Sequence, residues 1–395
     1  MPRKTYKNLC HYIHSSLTVD WSGTGWRVQP CCFTPTVNTE IDTSDREWYR
    51  KLWPALRRDN LADQPLEGST CGTCINDEAV GKQSPRLGSL IKWGDKAPVR
   101  VTGPRELEVQ IHYTCNYACM ICGPGASSLW KRYADKADRG SPSALCSEED
   151  IRDLLANLDL SRLHTIKILG GEPLLTERHR QLVAQVRAKG VDLADLTLWY
   201  NTNGSCRVDQ ETMDLWRGCR QVFVYFSLDD TGQAFNYQRF PGDWQAVTEN
   251  MRWFRDNMAP NVMLRIERTV GLLNAHRLAD LEEWRQREFP TMAHGHHTEI
   301  NTHMAHGLFS LDNISGAHLE FLRRDERNLQ ALRRIYPIDD LRPNDGNSGR
   351  VLERVLRRLP LLLYDERPSA AKKAEPVTAP APPVSRPDLW PGGAQ

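Results

Sequence analysis

The sequence has almost no excess charge of either sign, since 51 Lys and Arg face 50 Asp and Glu in 395 residues. So small a net charge gives no overall field that would attract nucleic acid or a membrane, although local patches are not excluded. The chain also lacks an apolar run of the ~18 residues that a membrane span needs. Its start, MPRKTYKNLCHYIH, lacks the apolar core of a signal peptide. We therefore expect a cytoplasmic protein that does not contact a membrane.

Cysteine is plentiful, with eleven residues in the chain. Without an export signal these should be reduced thiols, and eight of them fall in motif-like groups, which favours metal binding over disulfides. The eight are Cys10, Cys31, Cys32, Cys71, Cys74, Cys115, Cys119 and Cys122.

The most informative group is Cys115, Cys119 and Cys122, three thiols at C-x3-C-x2-C spacing directly after an alternating strand pattern. A 4Fe-4S cluster has four irons that each need a ligand, so three cysteines on one loop leave one iron open to a small molecule. A zinc knuckle, a disulfide pair and a buried structural set are the alternatives.

From about residue 104 the chain alternates between strand and helix patterns. The predicted strands are 107–113, 165–169, 196–200, 221–228, 262–270 and 299–303. Regular alternation of this kind implies an α/β fold with a parallel sheet. Six such units suit an open partial (β/α)6 barrel, whose active site lies at the carboxyl ends of the strands.

Short polar motifs follow several of these strands. Paired glycines at Gly170 and Gly171 would let backbone approach a ligand closely, and Glu172 beside them could accept from an ammonium group. Asn203 follows the third strand, and the fourth ends in Ser227-Leu228-Asp229. These groups could hold ribose hydroxyls or a carboxylate, although each motif alone could equally be a polar turn. A further candidate is Arg265 of the fifth strand, as a partner of a ligand carboxylate or of a salt bridge.

The cysteine loop and these motifs, in this order, resemble the radical S-adenosylmethionine (SAM) enzymes. The resemblance implies that SAM binds the open iron of a 4Fe-4S cluster and is cleaved reductively to a 5′-deoxyadenosyl radical, which abstracts hydrogen from substrate. It further implies that Gly170, Gly171 and Glu172 meet the amino group of SAM. An external one-electron reductant such as flavodoxin or ferredoxin would supply the electron.

The first hundred residues contain a predicted hairpin around Gly23-Thr24-Gly25, a helical stretch over residues 44–58, and four scattered thiols. With Cys10, Cys31, Cys71 and Cys74, this region resembles the twitch or SPASM module that holds an auxiliary 4Fe-4S cluster. In most relatives this module follows the barrel instead of preceding it. Cys32 is an alternative to Cys31 as ligand, and a zinc ribbon with the same four thiols is the alternative to iron and sulfur.

We therefore predict an auxiliary Fe-S domain over residues 1–100, a radical SAM partial barrel over 101–310, C-terminal helices over 311–366 and a disordered Pro/Ala-rich tail over 367–395. The helices carry many arginines, which are most simply a solvated face.

The substrate is predicted to be a peptide, because many relatives with auxiliary clusters modify peptides. A rearrangement of an amino-acid-like group on a nucleobase in nucleic acid is the second hypothesis, and a non-catalytic iron-sulfur electron carrier is the third. Cys206, after the third strand, could deliver a hydrogen atom to a substrate radical, although a free cysteine is more often a small buried apolar residue.

Overall fold

The structure is a computed structural model of the whole chain. It describes residues 8–31, 37–64, 71–79, 84–94, 102–133, 145–290, 300–304, 309–335, 338–340, 342–344, 346 and 350–351. Residues Met1–Asp345 form one unit of the chain and Gly346–Gln395 form a second. The predicted tail over 367–395 and the alternative ligand Cys32 lie outside the described residues.

The described strands belong to one open sheet in the order β3-β2-β1-β4-β5-β6-β7-β8-β9. Strands β1 and β4 to β9 pair in parallel, whereas β2 and β3 add an antiparallel edge. The bounds are β1 Ser16–Trp21, β2 Trp26–Gln29, β3 Val37–Glu40, β4 Glu106–Gln110, β5 Thr165–Leu169, β6 Thr197–Thr202, β7 Gln221–Ser227, β8 Val262–Val270 and β9 Ile300–Met304.

The six predicted barrel strands correspond to β4 to β9, and their alternation sets two faces. On β4, Leu107 and Val109 are fully buried in the apolar core. The core also contains Ile166, Tyr200 and Phe254, so it lies between the sheet and the helices. A strand places successive side chains on opposite faces, so the other residues of each strand point to the inner face.

The inner face carries buried charge. Glu106 is only 1% exposed, and its Oε1 lies 2.7 Å from Nζ of Lys167 on β5. The same Nζ lies 3.7 Å from Glu108 Oε2, and Lys92 also pairs with Glu106. Two buried carboxylates thus share two ammonium groups. Buried charges are tolerated when they are paired in this way.

The N-terminal hairpin belongs to the same sheet as the barrel strands. It consists of β1 and β2, as predicted, and β1 pairs in parallel with β4 from Ser16–Glu106 to Asp20–Gln110. Leu17 and Val19 of β1 enter the same core as the apolar residues of β4, which explains the pairing. The sheet therefore crosses the domain boundary that the sequence predicted at residue 100.

The helical stretch predicted over residues 44–58 is interrupted. Trp53 adopts a left-handed conformation with φ of 49°, and Pro54 opens the next helix. Proline is favoured in the first turn of a helix, because a backbone N–H at that position would have no partner within the helix. The helices in the described residues are α1 His11–Ser15, α2 Trp48–Lys51, α3 Pro54–Leu61, α4 Gly72–Ala79, α5 Pro85–Trp93, α6 Glu148–Ala156, α7 Arg178–Ala188, α8 Gln210–Arg217, α9 Gly232–Gln238, α10 Trp244–Asn257, α11 Leu278–Glu288, α12 Gly316–Arg323 and α13 Glu326–Arg333.

Across the described ranges, no helix has the length and apolar character to span a bilayer. The predicted C-terminal helices begin with α12 and α13, whose apolar residues Leu319, Leu322, Leu329 and Leu332 are buried.

Candidate functional site

A cavity of about 350 Å³ lies at the carboxyl ends of the parallel strands. This is the edge of the sheet at which the sequence predicted an active site, because the loops after successive parallel strands meet there. Its lining residues are Cys115, Tyr117, Cys119, Ile121, Cys122, Ala126, Ser127, Leu169, Gly170, Gly171, Asn201, Thr202, Asn203, Ser227, Arg239, Glu267 and Thr269. All three thiols of the C-x3-C-x2-C motif are therefore at one cavity.

The cysteine loop follows β4 and is fixed by hydrogen bonds on the side of residues 127–130. The backbone N–H of Cys115 donates to Ser128 Oγ at 3.1 Å. The indole N–H of Trp130 donates to the carbonyl of Cys119 at 2.7 Å. The side chain of Cys119 is buried, whereas Cys115 and Cys122 are half-buried. The loop thus presents its thiols from a backbone whose polar groups are already paired.

The pKa values of these thiols follow from their burial and from their proximity to one another. Burial raises the pKa of Cys115 to about 11. A hydrogen bond between the side chains of Cys119 and Cys122 raises the pKa of Cys119 and lowers the pKa of Cys122. Thiolates at such a site need a positive charge nearby. A bound metal supplies that charge and thereby favours deprotonation of its thiol ligands.

The paired glycines lie directly against the cysteine loop. The N–H of Gly171 donates to the carbonyl of His112 at 2.9 Å, and the N–H of Glu172 donates to the carbonyl of Thr114 at 2.8 Å. A Cβ on Gly171 would lie 2.5 Å from the Thr114 oxygen and 2.6 Å from the Tyr113 oxygen. Glycine is required here because two backbone segments pass too closely for any side chain.

The carboxylate of Glu172 is fully buried and points into the protein. Its Oε1 accepts from Thr202 Oγ1 at 2.8 Å and from the N–H of Leu174 at 3.1 Å, while its Oε2 accepts from the N–H of Asn203 at 2.5 Å. Burial raises the pKa of Glu172 to about 7 against the lowering effect of these donors. Glu172 therefore joins the loop after β5 to the loop after β6.

Asn203 connects that second loop to the cysteine loop. Its Nδ2 donates to Asn116 Oδ1 at 2.9 Å and lies 3.8 Å from the sulfur of Cys115. Hydrogen bonds to cluster sulfurs are one of the means by which proteins set the reduction potential of iron-sulfur clusters. The predicted residue Asn203 is thus within reach of the Cys115 thiol, and Asn116 is a neighbour that the sequence analysis missed.

The end of β7 places Ser227 at the cavity and Asp229 behind it. Asp229 is 3% exposed, and its Oδ1 accepts from the N–H of Thr269 on β8 at 2.8 Å. Its Oδ2 lies 2.8 Å from Nη2 of Arg239, a buried arginine that lines the cavity. Burial alone would lower the pKa of Arg239, but Asp229 and the nearby thiols raise it overall.

The comparison with protein families gives one match. Residues 109–283 match the family model described as the Radical SAM superfamily. This segment is therefore similar to the radical SAM domains. The match begins in β4 and extends into α11, so it includes the cysteine loop and the other loops that form the cavity. A comparison with curated proteins found no match.

Solved structures show weaker likenesses to the chain. The structure titled "Native anSMEcpe with bound AdoMet" has a TM-score of 0.41 and 16% identity, over 59% of this chain and 60% of that one. SuiB of Streptococcus suis bound to S-adenosylmethionine has a TM-score of 0.36 and 10% identity, over 84% and 70%. TYW1 with a lysine-pyruvate adduct has a TM-score of 0.34 and 14% identity, over 56% and 72%. With TM-scores below 0.5, these likenesses carry no argument here.

Four of the predicted site residues within the matched segment do not line the cavity, namely Glu172 and Asp229, described above, and Arg265 and Cys206. Arg265 lies on the same face of β8 as Glu267 and Thr269, but further from the carboxyl end of the strand. Cys206 follows the Asn203 loop, and burial raises its pKa to about 12. Glu267 and Thr269 occupy the position at the cavity that the sequence analysis assigned to Arg265.

The four N-terminal thiols lie outside the matched segment. Cys10 is buried, and burial raises its pKa to about 12, with Cys31 and Cys71 adding to the rise electrostatically. Cys10 and Cys74 also act on Arg86, which pairs with Glu78. Within the described residues, no three His, Cys, Asp or Glu side chains form a group arranged for a single metal ion.

The close approach at Gly171 yields a first prediction. Gly171→Ala should lower the free energy of unfolding by about 1–3 kcal/mol, because the new methyl group overlaps backbone that cannot rotate away. Denaturant unfolding measures this change. Gly125→Ala is the matched control, since a Cβ at Gly125 meets nothing within 4 Å. Equal effects of the two variants would contradict the packing described here.

The buried carboxylate gives a second prediction. The folded protein retains the proton of Glu172 up to a pKa of about 7, whereas the unfolded chain loses it near the ordinary value of 4.5. Stability should therefore fall as the pH rises through this window, and Glu172→Gln should remove that part of the slope. The variant should also lose about 1–3 kcal/mol, because an amide cannot accept hydrogen bonds at both positions.

Urea unfolding of metal-free protein across the window measures both effects of Glu172→Gln. Glu177→Gln, whose side chain is 61% exposed, serves as the control and should retain the wild-type slope. A slope that persists in Glu172→Gln would show that another group titrates.

Proposed function

We propose that the protein is a radical SAM enzyme, which binds SAM at a 4Fe-4S cluster held by Cys115, Cys119 and Cys122 and uses the resulting radical to abstract hydrogen from a substrate. The observation that carries this proposal is that the three thiols line a single cavity with the Gly170-Gly171 turn. Three protein ligands satisfy three irons and leave the fourth for SAM. The family match over residues 109–283 supports the same chemistry.

The donor set fits such a cluster. The thiols are supplied by one loop whose backbone is hydrogen-bonded on both sides, and the Asn203 amide lies 3.8 Å from one of them. When bound, the cluster would pass one electron to the sulfonium of SAM, which separates into methionine and a 5′-deoxyadenosyl radical. A flavodoxin or a ferredoxin would provide that electron.

The residues around the cavity would orient SAM. Backbone at Gly170 and Gly171 is accessible to a ligand, while Asn203 and Ser227 supply an amide and a hydroxyl for ribose or carboxylate groups. Glu172 supports these residues from behind, because its carboxylate holds the turn of Leu174 and the backbone of Asn203. We therefore assign Glu172 a positioning role in place of direct contact with the ammonium group.

The protein's rate contribution would come from orientation and from water exclusion. A cavity at the carboxyl ends of the strands holds the reacting atoms in a fixed arrangement, which converts binding energy into a lower barrier. Cys206 is half-buried and does not line this cavity, so it fits a packing role better than the donation of hydrogen to a substrate radical.

For the substrate, a peptide remains our proposal. The alternative, a group attached to nucleic acid, would need the C-terminal arginines for phosphate contacts. Several of them already have acidic partners in the described residues. Arg327 lies 2.7 Å from both Asp280 and Glu283, and Arg333 lies 3.0 Å from Asp339. This pairing favours the peptide.

We further propose an auxiliary 4Fe-4S cluster at Cys10, Cys31, Cys71 and Cys74. Its support is the electrostatic proximity of Cys10 to Cys31 and Cys71 and of Arg86 to Cys10 and Cys74. Glu78 pairs with Arg86 and holds it in place, and a fixed positive charge stabilises nearby thiolates. If all four thiols are ligands, the cluster would transfer electrons and would not bind substrate.

The radical SAM proposal predicts SAM cleavage by purified protein. After anaerobic reconstitution with iron and sulfide, the wild type should convert SAM to 5′-deoxyadenosine in the presence of dithionite. The triple variant with Cys115→Ala, Cys119→Ala and Cys122→Ala should lose this activity and about four irons per chain. Chromatography of the products and iron analysis measure the two effects.

Cys219→Ala is the control, since Cys219 is a buried cysteine in neither set. It should keep both the iron and the activity. An iron-loaded wild type that never forms 5′-deoxyadenosine would support the electron-carrier alternative, and zinc in place of iron would contradict the proposal altogether.

The auxiliary site gives a separate prediction. Cys10→Ala combined with Cys74→Ala should remove a second set of about four irons per chain, while SAM cleavage without substrate continues. Elemental analysis distinguishes the alternatives, because a zinc ribbon would instead lose about one zinc. Unchanged metal content would exclude these two thiols as ligands.

A further inference from the structure

Arg239 is a buried cation beside the cysteine loop that the proposed SAM chemistry has not yet used. It follows the last residue of α9, its side chain is 7% exposed, and it lines the cavity. Its charge acts on two of the three thiols, Cys119 and Cys122. A guanidinium remains charged at all physiological pH values, so this is a permanent positive charge in a poorly solvated place.

Its ion partner is anchored from several directions. Nη2 of Arg239 lies 2.8 Å from Oδ2 of Asp229, whose Oδ1 accepts from the N–H of Thr269 at 2.8 Å. The carbonyl of Asp229 accepts from Nδ2 of Asn274 at 3.0 Å. In contrast, Nε of Arg239 is buried and has no hydrogen-bond partner within the described residues. Asp229 thus fixes Arg239 on one side and leaves a donor unpaired.

The backbone holds the same segment against the thiols. The N–H of Ala118 donates to the carbonyl of Phe240 at 2.6 Å, and the N–H of Met120 donates to the carbonyl of Gln238 at 2.7 Å. These two bonds straddle Cys119 on one side and Arg239 on the other. The charge and the thiols therefore belong to one hydrogen-bonded unit and cannot separate without breaking it.

We propose that the positive charge of Arg239, which Asp229 holds in place, raises the reduction potential of the cluster at Cys115, Cys119 and Cys122. This inference rests on the proposed function. One-electron reduction adds a negative charge among thiolates and sulfides, and a fixed buried cation stabilises the reduced cluster more than the oxidised one. The carboxylate of Asp229 has the opposite effect and sets how much of the cation's field is cancelled.

The sign of the expected shift separates this role from simple fastening. Arg239→Gln removes the positive charge and should move the midpoint potential to more negative values, whereas Arg239→Lys should stay near the wild type. Asp229→Asn removes the negative charge and should move the potential to more positive values. If the ion pair only fastened the loop, either variant would break the same contact and both would shift the potential alike.

A neighbouring ion pair provides the matched control. Arg277 Nε lies 2.8 Å from Oδ1 of Asp230, the residue after Asp229, but Arg277 does not line the cavity. Arg277→Gln should therefore leave the potential of the cluster unchanged. It also shows how much of any shift comes from the loss of an arginine in this part of the fold.

The experiment is an anaerobic redox titration with dithionite of the full-length reconstituted protein, followed by electron paramagnetic resonance. The signal that changes on addition of SAM identifies the cluster at the cavity. Opposite shifts for Arg239→Gln and Asp229→Asn, with Arg277→Gln unchanged, support the inference. Shifts of the same sign, or none, overturn it while the proposed function stands. A wild type without a SAM-sensitive signal overturns the proposed function, and this inference with it.

Discussion

The site depends on the way in which the cysteine loop is held between two neighbouring loops. On one side, the N–H groups of Gly171 and Glu172 donate to carbonyls at the end of β4. On the other side, carbonyls of residues 238 and 240 accept from N–H groups between the cysteines. A backbone paired along both edges holds the thiols in a fixed arrangement. The cavity lies beside these three segments and is completed by the carboxyl ends of β6, β7 and β8.

Buried charge then determines what this fixed frame can hold. Glu172, Asp229 and Arg239 are all less than a tenth exposed, and each is held by at least one partner from a different strand or loop. Uncompensated charges at such depth would be costly, so each of these groups depends on the partners that hold it. The carboxylates organise backbone and a cation, while the thiols and the glycine turn are left to face the ligand.

The sequence predicted most of the strands and loops around the site, because local sequence patterns determine them. Period-two alternation marks β4 to β8. The glycine pair predicted a close approach to a ligand, and the close approach that Gly171 makes in the structure is to the backbone of Thr114. Local sequence patterns do not determine the direction in which a side chain points. The sequence predicted that Glu172 meets a ligand, whereas its carboxylate is buried and accepts hydrogen bonds from Thr202 and Asn203. The sequence analysis assigned Arg239 no role, because its charge acts on Cys119, which is distant in the chain.

The parallel pairing of β1 with β4 was also beyond local pattern, and it has a consequence for the architecture. Strand β4 has partners on both sides, β1 and β5, and it leads directly into the cysteine loop. A fragment that began at residue 101 would keep the cysteines but would leave the backbone of β4 open along one side, where another chain could pair with it. The N-terminal hairpin therefore covers the edge of the strand that leads into the cysteine loop.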